Sequence, residues 1–265
     1  MVFKEKRRTM KQKPLILISN DDGYHAKGIR SLISMVADMG EVVVCAPESA
    51  RSGFSRAFSA TDPLRLKERK SVEGAPVWSC NGTPVDCVKI AFDQLTGGRK
   101  PDLVIGGINH GDNSTVNNHY SGTMGVAIEG CLKGIPSIAF SLCDYEDDAD
   151  FSPLAGHVRD IVAHTLGHGL PPGVCLNVNF PKADRFKGVK VCRMAWGQWV
   201  DEVVSERHPR GYGYYWLVGR YVNGEPGADG TDQKALEDGF VAITPTTIDV
   251  TAYGAMDGLR ALEQY

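Results

Sequence analysis

The chain has 265 residues, of which 42% are hydrophobic and 23% are charged, and its formal net charge is −3. This length and composition are ordinary for a globular protein of one or two domains with a large core. The near balance of 29 basic and 32 acidic side chains gives no reason to expect binding to a nucleic acid polymer. Binding of a small anionic ligand is compatible with this charge balance, because such a ligand needs only local hydrogen-bond donors.

The N-terminal segment, MVFKEKRRTMKQK, is basic but is not followed by the apolar stretch of a secretory signal. We therefore predict a flexible basic tail over residues 1–13. No apolar run reaches the roughly 18–20 residues that span a bilayer, so no membrane partner is expected. The cysteines lack C-x-x-C spacing and lie mostly in apolar segments, which indicates reduced thiols in a cytoplasmic protein. They are Cys45, Cys80, Cys87, Cys131, Cys143, Cys175 and Cys192.

In the first two-thirds of the chain, short apolar runs alternate with longer amphipathic runs. This pattern predicts an α/β fold, with a mostly parallel sheet and helices on its faces. The predicted strands are Leu15–Asn20, Glu41–Ala46, Val77–Cys80, Asp102–Gly106, Ser137–Leu142 and Val174–Asn179. The predicted helices are Ile29–Met39, Pro84–Leu95, Thr123–Lys133 and Pro153–His168. The second helix has a clear start signal in Thr83, Pro84 and Asp86.

After about residue 190 the sequence becomes rich in Trp, Tyr and Gly and loses helical periodicity. This change predicts a β-hairpin arm and not a continuation of the sheet. Exposed aromatic side chains on such an arm are typical of a subunit contact. The predicted division is therefore an α/β core over residues 14–190, followed by an arm and a C-terminal segment over residues 191–265.

Three polar, glycine-bearing segments follow predicted strands, at the edge where parallel α/β sheets bind ligands. They are residues 20–23 (NDDG), 47–55 (PESARSGFS) and 107–113 (GINHGDN). In the first segment, Gly23 gives the backbone the freedom to turn both Asp21 and Asp22 toward one ligand. Two carboxylates this close raise each other's pKa unless a cation lies between them, and a hard divalent ion is the natural cation. A helix cap or an Asx turn explains the two aspartates equally well.

The other candidate ligands each have an ordinary structural alternative. Ser52 offers a hydroxyl for ligation or phosphate contact, although such turns are common in surface loops. Asn109 places a neutral amide oxygen after a buried strand, where it either ligates a metal or bonds its own loop. Ser121, Gly122 and Thr123 open a helix rich in small residues, so they form either a phosphate cradle or an ordinary helix cap.

Several common enzyme signatures are absent from the sequence. There is no G-x-x-x-x-G-K-[ST] loop, no G-x-G-x-x-G after the first strand and no G-x-S-x-G elbow. The adjacent aspartates do not match the D-x-D of phosphatases with an aspartate nucleophile. Among the histidines near the candidate loops, His110 is the candidate for proton transfer, against the more common reading of a loop or core histidine.

Taken together, the motifs resemble the survival protein E (SurE) family of metal-dependent 5′-nucleotidases, and the resemblance covers nearly all of residues 14–252. It rests on the order and spacing of S-N-D-D-G-x-x-A-x-G-I at 19–29, R-S-G-x-S at 51–55, G-T-P-x-D-C-V at 82–88, G-I-N-x-G at 107–111, Y-S-G-T at 120–123, E-G at 129–130, N-V-N-x-P at 177–181, G-T-D at 230–232 and T-P at 244–245.

The resemblance implies a single divalent ion, Mg²⁺ or Mn²⁺, with Asp21 and Asp22 as catalytic residues. The implied metal ligands are Asp21, Asp22, Ser52 and Asn109, and the implied phosphate-binding residues are Asn113, Ser121, Gly122 and Thr123. The implied fold is a Rossmann-like core with a protruding hairpin and a C-terminal segment exchanged between the subunits of a homodimer or homotetramer. One departure is Gly106, where the family often has a serine.

The predicted function is hydrolysis of nucleoside 5′-monophosphates to nucleoside and phosphate by a metal-activated water. No side chain stands out as a covalent nucleophile, so no phosphoenzyme is expected. Two alternatives stay open. One is a non-catalytic nucleotide-sensing module that uses the same loops, and the other is a related phosphatase that acts on 3′-nucleotides or polyphosphate.

Overall fold

The structure is a computed structural model that describes residues 13–265. The predicted basic tail lies outside the described residues, apart from Lys13. Within residues 13–265 the α-helices are α1 (Lys27–Val36), α2 (Pro84–Gln94), α3 (Gly122–Leu132), α4 (Ala155–His168), α5 (Asp232–Glu237) and α6 (Tyr253–Leu259), with short 3₁₀ helices at Thr115–His119, Ser152–Leu154 and Arg260–Gln264. None of these described helices is long and apolar enough to cross a membrane.

A mixed sheet forms the centre of the molecule. The strands of the described chain are β1 (Leu15–Ser19), β2 (Glu41–Pro47), β3 (Leu66–Val72), β4 (Ala75–Cys80), β5 (Leu103–His110), β6 (Ser137–Cys143), β7 (Val174–Pro181), β8 (Val189–Val191), β9 (Gly197–Val200), β10 (Val203–Arg207), β11 (Gly213–Leu217), β12 (Arg220–Asn223) and β13 (Val241–Thr247). The sheet order is β3-β4-β2-β1-β5-β6-β7-β13-β8, and the six strands from β4 to β7 run parallel. All six predicted strands lie in this parallel part, so the predicted α/β architecture is confirmed.

Helices cover both faces of the sheet, and β1 shows why its sequence is apolar throughout. Ile16 and Ile18 pack in one cluster with side chains of α1 and α4. Leu15 and Leu17 pack in another cluster with side chains of α2 and α3. Because successive side chains of a strand point to opposite faces, a strand between two helical layers must be apolar at every position.

The start of α2 matches its sequence signal. Thr83 is the N-cap, and its hydroxyl accepts from the backbone N–H of Asp86 at 3.1 Å. The Asp86 carboxylate in turn accepts from the backbone N–H of Thr83 at 2.9 Å, and Pro84 occupies the first turn. The two reciprocal bonds form a capping box, which fixes where the helix begins.

The predicted boundary at residue 190 needs correction. Strand β13 lies well beyond it, yet β13 pairs antiparallel with β7 inside the central sheet and parallel with β8. Val241 and Ala242 of β13 are fully buried. The core therefore includes the segment from α5 to β13, because the chain returns to the sheet after leaving it. This pairing joins residues more than sixty positions apart, so local sequence texture does not reveal it.

The predicted hairpin arm is present but shorter than the segment assigned to it. We call residues 197–223 the arm. Strand β9 pairs antiparallel with β12 near the core, and β10 pairs antiparallel with β11 further along. Strand β3 was not predicted, because its sequence, LKERKSV, is strongly polar. It forms an exposed antiparallel edge next to β4, where charged side chains are well tolerated.

Candidate active site

The sheet has a topological switch point between β1 and β5. Strand β1 lies between β2 and β5, and the chain passes to β2 on one side before it returns to β5 on the other. Ligands of parallel α/β proteins bind in the crevice beyond the carboxyl ends of two such strands. Asp21 and Asp22 follow β1, and Asn109 lies near the end of β5. The candidate ligands therefore sit at the position that the topology favours.

A cavity of about 450 Å³ opens at this crevice. The predicted site residues that line it are Asp21, Ser52, Asn109, Asn113 and Ser121. The other three predicted residues, Asp22, Gly122 and Thr123, do not line the cavity but contact residues that do. The structure thus brings four separate loops to one place, while the roles of their residues stay predictions.

A larger cavity of about 820 Å³ lies between α1 and α4 and contains none of the predicted site residues. Two of its cations already have partners. Arg159 pairs with Asp38, and the Lys27 ammonium donates to the backbone carbonyls of Asp148 and Ala149. The smaller cavity at the switch point is therefore the better candidate for chemistry.

The loop after β1 is held in shape by its own side chains. The amide of Asn20 accepts from the backbone N–H of Gly23 at 3.2 Å and donates to the Gly23 carbonyl at 3.0 Å. Gly23 has φ of 101°, a conformation that favours glycine. The second candidate loop is tied to the first, because the backbone N–H of Arg51 donates to the Asp21 carbonyl at 2.7 Å. The loop that carries Ser52 is therefore tied to Asp21, and both residues line the same cavity.

Asp21 is buried, and its surroundings raise the pKa of its carboxyl group. Burial and the nearby Asp22 carboxylate raise the pKa of Asp21 to about 7, although hydrogen bonds from Thr123 and from the backbone act in the opposite direction. The Thr123 hydroxyl donates to Asp21 Oδ1. Burial also raises the pKa of Asp22, whose Oδ2 accepts from the backbone N–H of His110 at 3.3 Å. Two adjacent carboxyl groups thus lie where their negative charge is poorly solvated.

The orientation of Asn109 reconciles its two sequence-based interpretations. Its amide nitrogen donates to the backbone carbonyls of His110 and Gly111, at 3.2 and 2.9 Å. These bonds to its own loop leave the amide oxygen pointing toward the site, 3.4 Å from the Thr123 hydroxyl. The two sequence-based interpretations of Asn109 are therefore compatible, because the loop bonds use the amide nitrogen and leave the amide oxygen available.

The donor set fits a hard divalent cation. The carboxylate of Asp21, the amide oxygen of Asn109 and the hydroxyl of Ser52 line the cavity, and the Asp22 carboxylate lies next to it. All four are oxygen donors, which suit Mg²⁺ or Mn²⁺. Among the described residues, none of those that line the cavity is a lysine or arginine, so no side chain there neutralises the aspartates. No group of three or more His, Cys, Asp or Glu side chains suited to a metal ion occurs in residues 13–265.

Asn113 is fixed by a buried amide network that the sequence did not reveal. Its backbone N–H donates to Asn179 Oδ1 at 3.0 Å, and its carbonyl accepts from Asn177 Nδ2 at 2.7 Å. Asn179 Nδ2 also donates to Asn177 Oδ1 at 2.9 Å, and Asn113 Nδ2 donates to Ser141 Oγ at 2.8 Å. The motif N-V-N at 177–179 carries this function, although its spacing alone gave no role for the two asparagines.

Asp232 is a second residue that sequence reasoning left without a role. It is fully buried, and its carboxylate accepts from the backbone N–H groups of Thr115 and Ala195, both at 2.8 Å. Burial raises the pKa of Asp232, while these backbone bonds lower it. Thr115 begins the 3₁₀ helix that follows Asn113, and Ala195 precedes the arm. Asp232 therefore ties the site loop to the base of the arm.

The start of α3 lies directly against the first loop. Ser121 is the N-cap, and its hydroxyl accepts from the backbone N–H of Met124 at 3.0 Å. A Cβ atom at Gly122 would lie 2.7 Å from the Cβ of Asp21, so only glycine permits this approach. A Cβ at Gly106 would lie 2.5 Å from the Thr123 carbonyl oxygen, which explains why a serine does not fit here. The Ser121 cap and the close approach of Gly122 to Asp21 are therefore both present.

His110 lines the cavity at the end of β5. Its ring lies 5.0 Å from the ring of Phe151, measured between centroids, and its Nε2 is buried without a hydrogen-bond partner in the described residues. This environment is compatible with the common reading of a packed histidine and with a role in the cavity.

Comparisons with known proteins identify the family of the chain. The family described as survival protein SurE matches residues 16–201. A protein of Phocaeicola vulgatus named 5′-nucleotidase SurE is 54% identical over 250 residues, which cover 94% of this chain and 97% of that protein. A protein of Bacteroides thetaiotaomicron with the same name is 54% identical over 249 residues, which cover 94% and 96%. The crystal structure of the SurE protein from Aquifex aeolicus superposes with a TM-score of 0.81 at 36% identity, and covers 94% of this chain and all of that one. The chain therefore belongs to the survival protein SurE family.

Proposed function

We propose that the protein is a 5′-nucleotidase, a hydrolase that releases phosphate from nucleoside 5′-monophosphates with the help of a divalent metal ion. The observation that carries the proposal is the meeting of Asp21, Ser52, Asn109, Asn113 and Ser121 in one cavity at the β1–β5 switch point. The names of the relatives, 5′-nucleotidase SurE, support the choice of substrate.

The proposed metal ligands are Asp21, Asp22, Ser52 and Asn109. When bound, a divalent ion supplies a Lewis acid for a phosphoryl oxygen and lowers the pKa of a water molecule. The Thr123 hydroxyl orients Asp21, and the His110 backbone N–H orients Asp22. These bonds hold both carboxylates in place before any ligand arrives, which reduces the reorganisation needed during the reaction.

The proposed phosphate contacts come from Asn113 and from the first residues of α3. The Ser121 hydroxyl and the positive end of the α3 dipole favour negative charge. Of the four residues predicted to bind phosphate, Thr123 has its hydroxyl engaged with Asp21, and Gly122 gives α3 the clearance to approach it. We therefore propose that Thr123 and Gly122 act mainly by positioning Asp21.

We also propose that the protein is cytoplasmic, which the seven free cysteines support.

A homodimer or homotetramer is supported by the apolar side chains at the C-terminal end. Tyr253, Met256, Leu259 and Leu262 are 47–67% exposed in the single chain. Size-exclusion chromatography is expected to give a mass above 28.8 kDa. Deletion of residues 254–265 is expected to lower that mass, and an unchanged elution volume would count against a role of the tail.

A substrate panel tests the proposed activity. Phosphate release from 5′-AMP, 3′-AMP and polyphosphate is measured with Mg²⁺ and with Mn²⁺. We expect 5′-AMP to be hydrolysed faster than either of the other two. Faster release from 3′-AMP or from polyphosphate would support a related phosphatase, and binding of 5′-AMP without release under any divalent ion would support a sensing module.

A further inference from the structure

The cavity has two halves of different chemistry. One half carries the carboxylate, amide and hydroxyl groups of the proposed metal and phosphate site. The other half is lined by Trp199, Leu217 and Val218 of the arm, together with Tyr120 and Tyr145. A phosphate group is charged and gains no favourable contact from apolar side chains. This half of the cavity therefore fits another part of the ligand.

Trp199 is held in a fixed orientation. Its indole N–H donates to Asn117 Oδ1 at 2.9 Å, and Asn117 lies in the 3₁₀ helix of the site loop. Its ring also packs edge-on against Tyr221, with centroids 6.4 Å apart and planes at 68°. An aromatic ring fixed by two contacts offers a stacking partner to a planar ligand at little entropic cost.

Leu217 and Val218 extend the apolar wall toward solvent. Their side chains are 85% and 51% exposed, so the chain itself does not cover them. Burial of such apolar surface by a ligand is favourable at roughly 25 cal/mol per Å². Cavities of about this volume commonly hold small ligands by an apolar wall and a few polar groups.

The charged side chains that line the cavity are all acidic. Asp112 and Glu202 line it along with Asp21, and no lysine or arginine does so in the part of the chain that the structure describes. Glu202 lies exposed in the turn between β9 and β10. An extended chain of phosphates would place uncompensated negative charge near these carboxylates.

We propose that the base of the arm forms a nucleoside subsite, in which Trp199, Leu217 and Val218 contact the base of the substrate and Glu202 disfavours polyphosphate. The proposal rests on the proposed function, which places the phosphate at the Asp21 end of the cavity. The favoured ligand is a phosphate monoester whose other end is planar and uncharged.

The first test compares 5′-AMP with ribose 5-phosphate, which carries a hydroxyl group in place of the base. Trp199→Ala is expected to lower kcat/KM for 5′-AMP about ten-fold, mainly through KM, and to leave ribose 5-phosphate unchanged. Trp199→Phe is expected to restore most of the loss, because it keeps an aromatic face. The matched control is Trp196→Ala, a tryptophan of 71% exposure that does not line the cavity. An equal loss with both substrates, or no loss with either, would overturn the proposal.

The second test concerns charge. The unmodified protein is expected to hydrolyse 5′-AMP at least ten times faster than tripolyphosphate, and Glu202→Lys is expected to narrow that ratio several-fold. Equal rates in the unmodified protein, or an unchanged ratio in the variant, would contradict the role of Glu202.

Adenosine binding separates the subsite from the activity. Calorimetry in the presence of Mg²⁺ is expected to show adenosine binding to the unmodified protein and about ten-fold weaker binding to Trp199→Ala. If adenosine binds in this way but no nucleotide is hydrolysed, the subsite stands and the proposed function fails. If 5′-AMP is hydrolysed but Trp199→Ala binds adenosine as tightly, the function stands and the subsite fails.

Discussion

Asp21→Asn is expected to lower kcat for 5′-AMP about a thousand-fold without destabilising the fold. The amide keeps an oxygen that can accept from the Thr123 hydroxyl, so the local hydrogen bond survives. What it removes is the negative charge that the proposed metal site needs. Loss of that charge stabilisation is worth roughly 4 kcal/mol in the transition state, which corresponds to the expected factor.

The metal-free stability of this variant provides a second readout. Asp21 is buried beside Asp22, and their mutual repulsion opposes folding when no cation is present. Asp21→Asn is therefore expected to unfold at the same temperature as the unmodified protein or higher in the presence of a chelator. It is also expected to lose the rise in unfolding temperature that Mn²⁺ gives the unmodified protein.

The control for this variant is Asp201→Asn, which changes an exposed carboxylate of the arm that pairs with Arg220. It is expected to keep full activity and the response to Mn²⁺, because exposed ion pairs contribute little. If Asp21→Asn retains both activity and the Mn²⁺ response, Asp21 is not a metal ligand.

Gly122→Ala is expected to lower kcat/KM about a hundred-fold, although it adds a single methyl group. That group would lie 2.7 Å from the Asp21 Cβ and 2.9 Å from its Oδ2, so the loop or the start of α3 must shift. A displacement of about 1 Å at a catalytic group can cost this much activity. The free energy of unfolding is expected to fall by about 1–3 kcal/mol from overpacking, which urea denaturation measures.

Gly156→Ala is the matched control, since Gly156 also lies in the first turn of a helix. A Cβ at Gly156 meets no atom within 4 Å. The substitution is expected to raise stability by about 0.5–1 kcal/mol and to leave activity unchanged. Normal activity in Gly122→Ala would show that the contact between α3 and Asp21 is unimportant for the reaction.

The sequence was sufficient for those parts of the fold that local patterns determine. The apolar run at Leu15–Asn20 predicted a strand, and Thr83 with Asp86 predicted the start of α2. Strand β13 was missed because its place beside β7 depends on a pairing across the whole arm. Trp199 was predicted only as one of several aromatic residues of a subunit contact, and its place in the cavity depends on the return of the arm to Asn117.

The candidate site shows the same limit. Asp21, Asp22 and Asn109 could be singled out, because polar residues after buried strands meet at one sheet edge. The hydrogen bond from the Thr123 hydroxyl to Asp21 could not be predicted, because it joins residues 102 positions apart. The direction of the Asn109 amide likewise depends on two carbonyls and on a hydroxyl from another element. The orientation of these side chains follows from tertiary contacts, so the sequence motifs alone do not predict it.

The most direct test of the metal-dependent site is a single measurement of phosphate release from 5′-AMP. The protein is stripped with a chelator, assayed, and assayed again after Mn²⁺ is added in excess of the chelator. The account predicts loss of at least 99% of the activity on stripping and full recovery on addition. Activity that persists after complete metal removal would contradict it.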